Sequence, residues 1–72
     1  MIPEAVQREA ADLCRTYNGT VEHLGEYEGQ DAYYVKIPEE YVVGFPTVFL
    51  LKDGGVLSVG GPAALDIITR FI

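Results

Sequence analysis

Residues 47–62 read TVFLLKDGGVLSVGGP, and this stretch decides the fold. The run Thr47–Lys52 predicts a strand with apolar side chains at both odd and even positions, so both of its faces require burial. The residues Asp53-Gly54-Gly55 are typical of a hairpin turn, and Val56–Val59 predicts the returning strand. Gly60-Gly61-Pro62 then ends that strand and begins a helix with proline in its first turn. The second half of the chain is therefore predicted to be a hairpin followed by a helix.

The N-terminal part predicts an amphipathic helix of about 14 residues. Pro3 and Glu4 favour its start, because proline fixes the backbone angle of the first turn and the carboxylate interacts with the positive end of the helix dipole. Gly19 is expected to supply the left-handed residue that ends the helix. Its apolar stripe consists of Val6, Ala10, Leu13 and Tyr17.

Two further strands follow this helix and predict a first hairpin. They are the segments Thr20–Glu28 and Asp31–Ile37, joined by a short turn at Gly29-Gln30 and ended by Pro38. The glycine and the acids of the first strand are typical of a strand at the edge of a sheet. Regular alternation along this strand sends His23 to the face opposite the neighbouring glutamates.

The order helix, β-hairpin, β-hairpin, helix predicts a two-layer α+β fold with a four-stranded, mainly antiparallel sheet. The whole chain, residues 1–72, is predicted to form a single compact domain. Because the strand at 47–52 is apolar on both faces, either the helices divide between the faces or the face left open meets a second copy of the chain. The last helix is expected to be largely buried along a stripe of Ala64, Leu65, Ile68, Phe71 and Ile72.

The composition restricts the classes of function. Of the 72 residues, 49% are apolar, and 11 acidic against 5 basic side chains give a formal net charge of −6. That charge argues against a nucleic-acid partner and against attraction to anionic membranes, since both require a basic surface. The single cysteine excludes an internal disulfide framework. The N-terminus lacks the features of a signal peptide and no apolar run approaches the length of a membrane span, so a cytoplasmic location is expected.

Two groups of side chains are candidates for a contact with another protein. Tyr34 is predicted to face outward, where it would join either Val48 and Leu50 or Phe49 and Leu51 in an apolar patch suited to a homodimer or another protein partner. Cross-strand packing within one chain is the alternative for this group. The second group is acidic and offers either a docking face for a basic partner or a solvated edge that prevents strand addition. Its members are Glu22, Glu26, Glu28 and Asp31.

Chemically reactive side chains are few. Cys14 lies beside the apolar stripe of the first helix, which favours a core cysteine over a thiolate activated by His23. His23 is the only histidine, so a multi-histidine metal site is excluded. Strand alternation also separates it from the glutamates that would complete a carboxylate-rich site. The sequence therefore predicts no catalytic residue, no cofactor and no metal ligand.

The stretch from Gly44 to Ile72 carries a resemblance to a known family. It begins with Gly44-Phe45-Pro46-Thr47, continues through a strand and the Lys52-Asp53-Gly54 turn, and ends with a glycine pair and a helix. In this order it resembles the C-terminal half of thioredoxin-like proteins, in which the proline matched by Pro46 is usually cis and lies against the redox motif. The chain has no Cys-x-x-Cys, so the resemblance implies a thioredoxin-like half-fold or an accessory subunit without dithiol redox activity of its own.

The sequence thus favours a small non-enzymatic interaction or structural module that forms a homodimer through one face of its sheet. The thioredoxin-like half-fold is the alternative.

Overall fold

The computed structural model describes residues 2–38, 40 and 44–71, and it shows two helices and one four-stranded sheet. Helix α1 spans Glu4–Tyr17 and helix α2 spans Gly61–Thr69, and neither is long and apolar enough to cross a membrane. The strands are β1 (Thr20–Tyr27), β2 (Gln30–Lys36), β3 (Val48–Lys52) and β4 (Gly55–Val59). They lie in the sheet in this order, and every neighbouring pair is antiparallel. The α+β class, the order of elements and the antiparallel sheet are confirmed.

The two helices cover opposite faces of the sheet. β3 sends Val48 and Leu50 into the cluster beneath α2, whereas Phe49 packs in the cluster beneath α1. Burying such a side chain completely stabilises the fold by about 1.5–3 kcal/mol. The predicted two layers are therefore corrected to three, because a strand that is apolar on both faces is fully buried when one helix covers each face.

Each helix buries its own apolar cluster. The cluster beneath α1 consists of Val6, Ala10, Tyr33, Val35 and Phe49. The cluster beneath α2 consists of Ala32, Val48, Leu50, Ala64, Ile67 and Ile68.

α2 is less buried than its composition predicts. Its residues Ala64, Ile67 and Ile68 face the sheet, whereas Leu65 points away from that stripe and is 45% exposed. The expectation of a largely buried helix is corrected at this position, since a single helix covering one face of a sheet buries only one of its own sides. Ile72, which was predicted to extend the buried stripe, lies outside the described residues.

α1 ends at a left-handed residue, but this residue is Asn18 and not Gly19 as the sequence predicts. Asn18 has φ 54° and ψ 40°, and the N–H groups of Asn18 and Gly19 both donate to the carbonyl of Cys14. Asparagine tolerates this conformation better than most residues with a side chain. Gly19 is needed for space instead, because a Cβ atom there would lie 2.7 Å from Cγ1 of Val35.

β1 contains a bulge that changes which face its later side chains occupy. Its pairing with β2 is regular as far as His23 opposite Tyr33, and it then shifts so that Gly25 lies opposite Ala32. Leu24 is the extra residue, and an extra residue reverses the alternation that follows it. The faces predicted for the end of β1 by regular alternation are therefore wrong.

Gly25 allows the end of α2 to close onto this bulge. Its φ of +147° is a conformation that favours glycine, and a Cβ atom there would lie 2.8 Å from Cε1 of Phe71. Beside this contact, the guanidinium of Arg70 lies 5.4 Å from the centroid of the Tyr27 ring. The C-terminal end of α2 is thereby attached to β1, at the far side of the sheet from β4.

We expect Gly25→Ala to lower the free energy of unfolding by about 1–3 kcal/mol, because the substitution combines an unfavourable backbone angle with a clash against an aromatic ring. Urea denaturation followed by circular dichroism measures this change. Gly44→Ala is the matched control, since no atom lies within 4 Å of a Cβ placed at Gly44. An equal loss in both variants would contradict the contact between Gly25 and Phe71.

Phe71→Leu in the Gly25→Ala background separates the two causes. Removing the ring relieves the clash but leaves the backbone angle unchanged, so the double variant should lose less stability than the sum of the single variants. If the losses of stability in the two single variants add up strictly in the double variant, the contact between Phe71 and Gly25 is contradicted.

Candidate functional site

The apolar group predicted as an interface exists, but it is part of the core. Tyr34 lies opposite Val48 in the β2–β3 register, so it shares a face with Val48 and Leu50 and not with Phe49 and Leu51. Val48 is 0% exposed and Leu50 4% exposed, because α2 packs on them. Tyr34 is half-buried, and its hydroxyl lies 3.5 Å from Oε1 of Glu22. The prediction that Tyr34, Val48 and Leu50 form a surface for a second chain is wrong, since α2 occupies that face.

The four candidate acids are all exposed, but they do not share a face. Glu22 lies opposite Tyr34 on the α2 face, whereas Glu26 lies opposite Asp31 on the α1 face beyond the bulge. Glu28 stands in the turn between β1 and β2, with φ 50°. The structure thus spreads the acids around the first hairpin instead of collecting them into one docking face.

His23 shares the α1 face with two of these acids. Its Nε2 atom lies 3.5 Å from Oδ1 of Asp31, and its ring centroid lies 4.9 Å from that of Tyr33 at an interplanar angle of 44°. The sequence predicts that His23 lies on the face opposite the neighbouring glutamates. This prediction is wrong for Glu26, because the bulge moves Glu26 to the face that His23 occupies. Among the described residues, no three His, Cys, Asp or Glu side chains are placed to hold a metal ion.

Cys14 and Pro46 lie in different parts of the molecule. The partly buried Cys14 side chain packs in the apolar layer between α1 and the sheet. Pro46 precedes β3, and the peptide bond between Phe45 and Pro46 is trans. Thioredoxin-like proteins usually have a cis proline at the matching position, so this part of the resemblance differs in the structure.

Two open cavities flank the end of β2. The larger has a volume of about 410 Å³ and is lined by Asn18, Thr20, Glu22, Lys36, Ile37 and Pro38. The smaller has a volume of about 250 Å³, and its walls include Tyr34, Pro46 and Ile68. Both adjoin the connection from β2 to β3, part of which lies outside the described residues, and we assign no ligand to either.

The edges of the sheet are the remaining candidates, because a helix packs on each face. Edge strands carry backbone N–H and C=O groups that lack a partner within the sheet. The edge formed by β1 has a bulge and the exposed acids Glu22 and Glu26, which are features that prevent the addition of another strand. The edge formed by β4 has a regular register from Gly55 to Val59, and it contains no charged residue and no proline.

The turn before β4 determines which of its backbone groups face outward. Lys52 pairs with Gly55 across the residues Asp53 and Gly54. These two turn residues have φ values of 53° and 81°, and positive values at both positions are typical of a type I′ hairpin. In such a hairpin, the residues on either side of the turn form the first hydrogen-bonded pair of the ladder.

Hydrogen-bonded and non-hydrogen-bonded pairs alternate along an antiparallel ladder. The backbone groups of Gly55, Leu57 and Val59 therefore point towards β3. The N–H and C=O groups of Val56 and Ser58 point away from β3, towards the open side. Leu57 is also 58% exposed, and it stands on the α2 face between those two residues.

Sequence reasoning did not identify this edge. The available signal was the contrast between the acid-rich first strand and the uncharged segment Val56–Val59. Its meaning depends on the strand order, which places these two segments at opposite edges.

No family model, curated protein or solved structure matches the chain, so its function is inferred from its own residues.

Leu50→Ala tests whether α2 covers the apolar group. We expect the free energy of unfolding to fall by about 2–5 kcal/mol, because the substitution leaves a cavity in the core. Urea denaturation at low micromolar concentration measures the loss. Leu65→Ala removes the same atoms from an exposed position and should change stability by no more than about 0.5 kcal/mol. A stable Leu50→Ala protein with an altered oligomeric state would show that this residue lies in an interface.

Among the residues that the structure describes, two tyrosines have raised pKa values. Hydrogen bonding to the Glu28 carboxylate is the main cause that raises the pKa of Tyr27. Burial raises the pKa of Tyr33, which is 5% exposed, and the charge of Asp31 adds to the effect. Neither shift creates an acid or base that is active near neutral pH.

The raised pKa of Tyr33 predicts a loss of stability in alkali. The unfolded chain releases this proton near pH 10, before the folded chain does, so the stabilising effect is complete below about pH 10 and is lost as the pH rises through the folded pKa. Urea midpoints measured from about pH 9 to about pH 12 should therefore fall more steeply in the native chain than in Tyr33→Phe. Tyr27 is present in both proteins and cancels from the comparison. If the urea midpoints of the native chain and of Tyr33→Phe fall in parallel as the pH rises, the raised pKa of Tyr33 is contradicted.

Proposed function

We propose that the chain is a small interaction module that binds an extended polypeptide segment along the open edge of β4. The observation that carries this proposal is the outward orientation of the backbone groups of Val56 and Ser58 on a strand without charge, bulge or proline. An incoming strand would hydrogen-bond to these groups and extend the sheet, a recognition mode in which the main chain supplies affinity.

The side chains along β4 indicate the partner's chemistry. Leu57 offers an apolar contact on the α2 face, and the exposed Ser58 offers a small polar one on the α1 face. An incoming segment with alternating apolar and small polar side chains would match both, because side chains of paired strands meet across the ladder. The proposal therefore favours an uncharged, extended partner over a strongly charged one.

The short length of β4 limits the affinity. Each backbone hydrogen bond contributes about 0.5–1.5 kcal/mol net, and association itself costs several kcal/mol in lost freedom of motion. A contact along the 5 residues of β4 is also smaller than a standard protein interface. We therefore expect weak, reversible binding.

A blocked peptide, acetyl-Thr-Val-Thr-Val-Thr-amide, tests this proposal. Titrated into labelled protein kept dilute enough to be monomeric, it should cause saturable chemical-shift changes centred on the amides of Val56 and Ser58. Changes confined to β1, or none up to several millimolar peptide, would contradict binding at β4.

Ser58→Pro provides the corresponding variant. It removes an N–H that points outward and leaves the hydrogen bonds to β3 in place, so it should abolish peptide binding without unfolding the chain. Ser58→Thr keeps that N–H and should bind as the native chain does. Equal binding by both variants would show that the backbone of β4 does not take part.

A further inference from the structure

We infer that the segment bound at this edge is β4 of a second copy of the chain, paired antiparallel about a two-fold axis through Leu57. This inference rests on the proposed function, because it names the partner for the same edge. It replaces the predicted dimer through a sheet face with a dimer through a sheet edge.

The positions of the outward backbone groups are self-complementary. Val56 and Ser58 stand on either side of Leu57, which is the central residue of β4. A two-fold axis through Leu57 places Val56 of each copy opposite Ser58 of the other. Residues so paired in an antiparallel ladder exchange both N–H···O=C bonds. This register therefore satisfies all the outward groups of Val56 and Ser58 in both copies at once.

The same axis brings the two Leu57 side chains together. Leu57 occupies the non-hydrogen-bonded position, where Cα atoms of paired residues are closest, at about 4.5 Å. Its side chain is 58% exposed in the single chain and would be covered by its own equivalent. The exposed leucine and the unpaired backbone groups are thus explained by one contact.

The distribution of charge leaves this edge accessible to a second acidic chain. Each copy carries a net charge of −6, yet β4 itself is uncharged. The acids Glu22 and Glu26 lie on β1, three strand spacings away, or about 14 Å, and the exposed Lys52 and Asp53 at the turn before β4 carry opposite charges. Because the two copies still repel each other at long range, added salt should strengthen their association. A basic partner attracted to the acids would instead be weakened by salt.

Sedimentation equilibrium of the full chain from about 10 µM to about 1 mM tests the inference. We expect the weight-average mass to rise from that of one chain towards that of two, and the association constant to increase between about 0.05 and 0.5 M NaCl. Leu57→Lys should weaken association at least about tenfold, because it places like charges directly opposite each other.

Leu65→Lys is the matched control, since it makes the same change at another exposed leucine, on α2. It should associate at least as well as the native chain. Ser58→Pro should be monomeric, which provides a second variant in case Leu57→Lys does not fold. Circular dichroism confirms the folding of each variant.

The possible results separate this inference from the proposed function. A native chain that stays monomeric to 1 mM while the Thr-Val peptide binds β4 would overturn the second copy as the partner and retain the strand-binding edge. If the native chain stays monomeric and the Thr-Val peptide does not bind, both the second copy as the partner and the strand-binding edge are overturned. A dimer weakened equally by Leu57→Lys and Leu65→Lys, or unaffected by Ser58→Pro, would also overturn pairing about Leu57.

Discussion

Burial of β3 on both faces is the constraint on which the rest of the structure depends. The strand is too apolar to leave either face in water, so Phe49 requires α1 on one side while Val48 and Leu50 require α2 on the other. The chain supplies these helices from its two ends, one before the first hairpin and one after the second. A meander can then join the strands, because no crossover is needed to reach either helix.

The edges of the sheet differ in how well they are protected against the addition of another strand. One helix packs on each face of the sheet, so the backbone groups at its edges become its main unsatisfied feature. At β1 the bulge and the exposed acids oppose the addition of a strand. At β4 the described residues provide no such protection. The asymmetry between the edges, and not any reactive side chain, is the basis on which we propose β4 as the functional surface.

Local patterns predicted the elements, while the relations between distant residues required the structure. The continuous apolar run in 47–52 correctly indicated a strand buried on both faces, but it did not determine whether a helix or a second chain covers each face. The bulge in β1 was not predicted, and the residue that packs against Gly25 beside it is Phe71, which is distant in sequence. The place of Leu57 in the fold was not predicted for a similar reason. Its exposure and its place between two outward amides depend on the strand order and on the turn at Asp53-Gly54.

Amide hydrogen exchange along β4 is the most direct test of the central claim that its outer edge is open and pairs with a second β4. The Leu57 amide, which is hydrogen-bonded to β3, should be protected from exchange at every protein concentration. The amides of Val56 and Ser58 should exchange rapidly in dilute solution and become protected together as the concentration rises towards about 1 mM. Protection of Val56 and Ser58 in dilute solution, or rapid exchange at all concentrations, would contradict the claim.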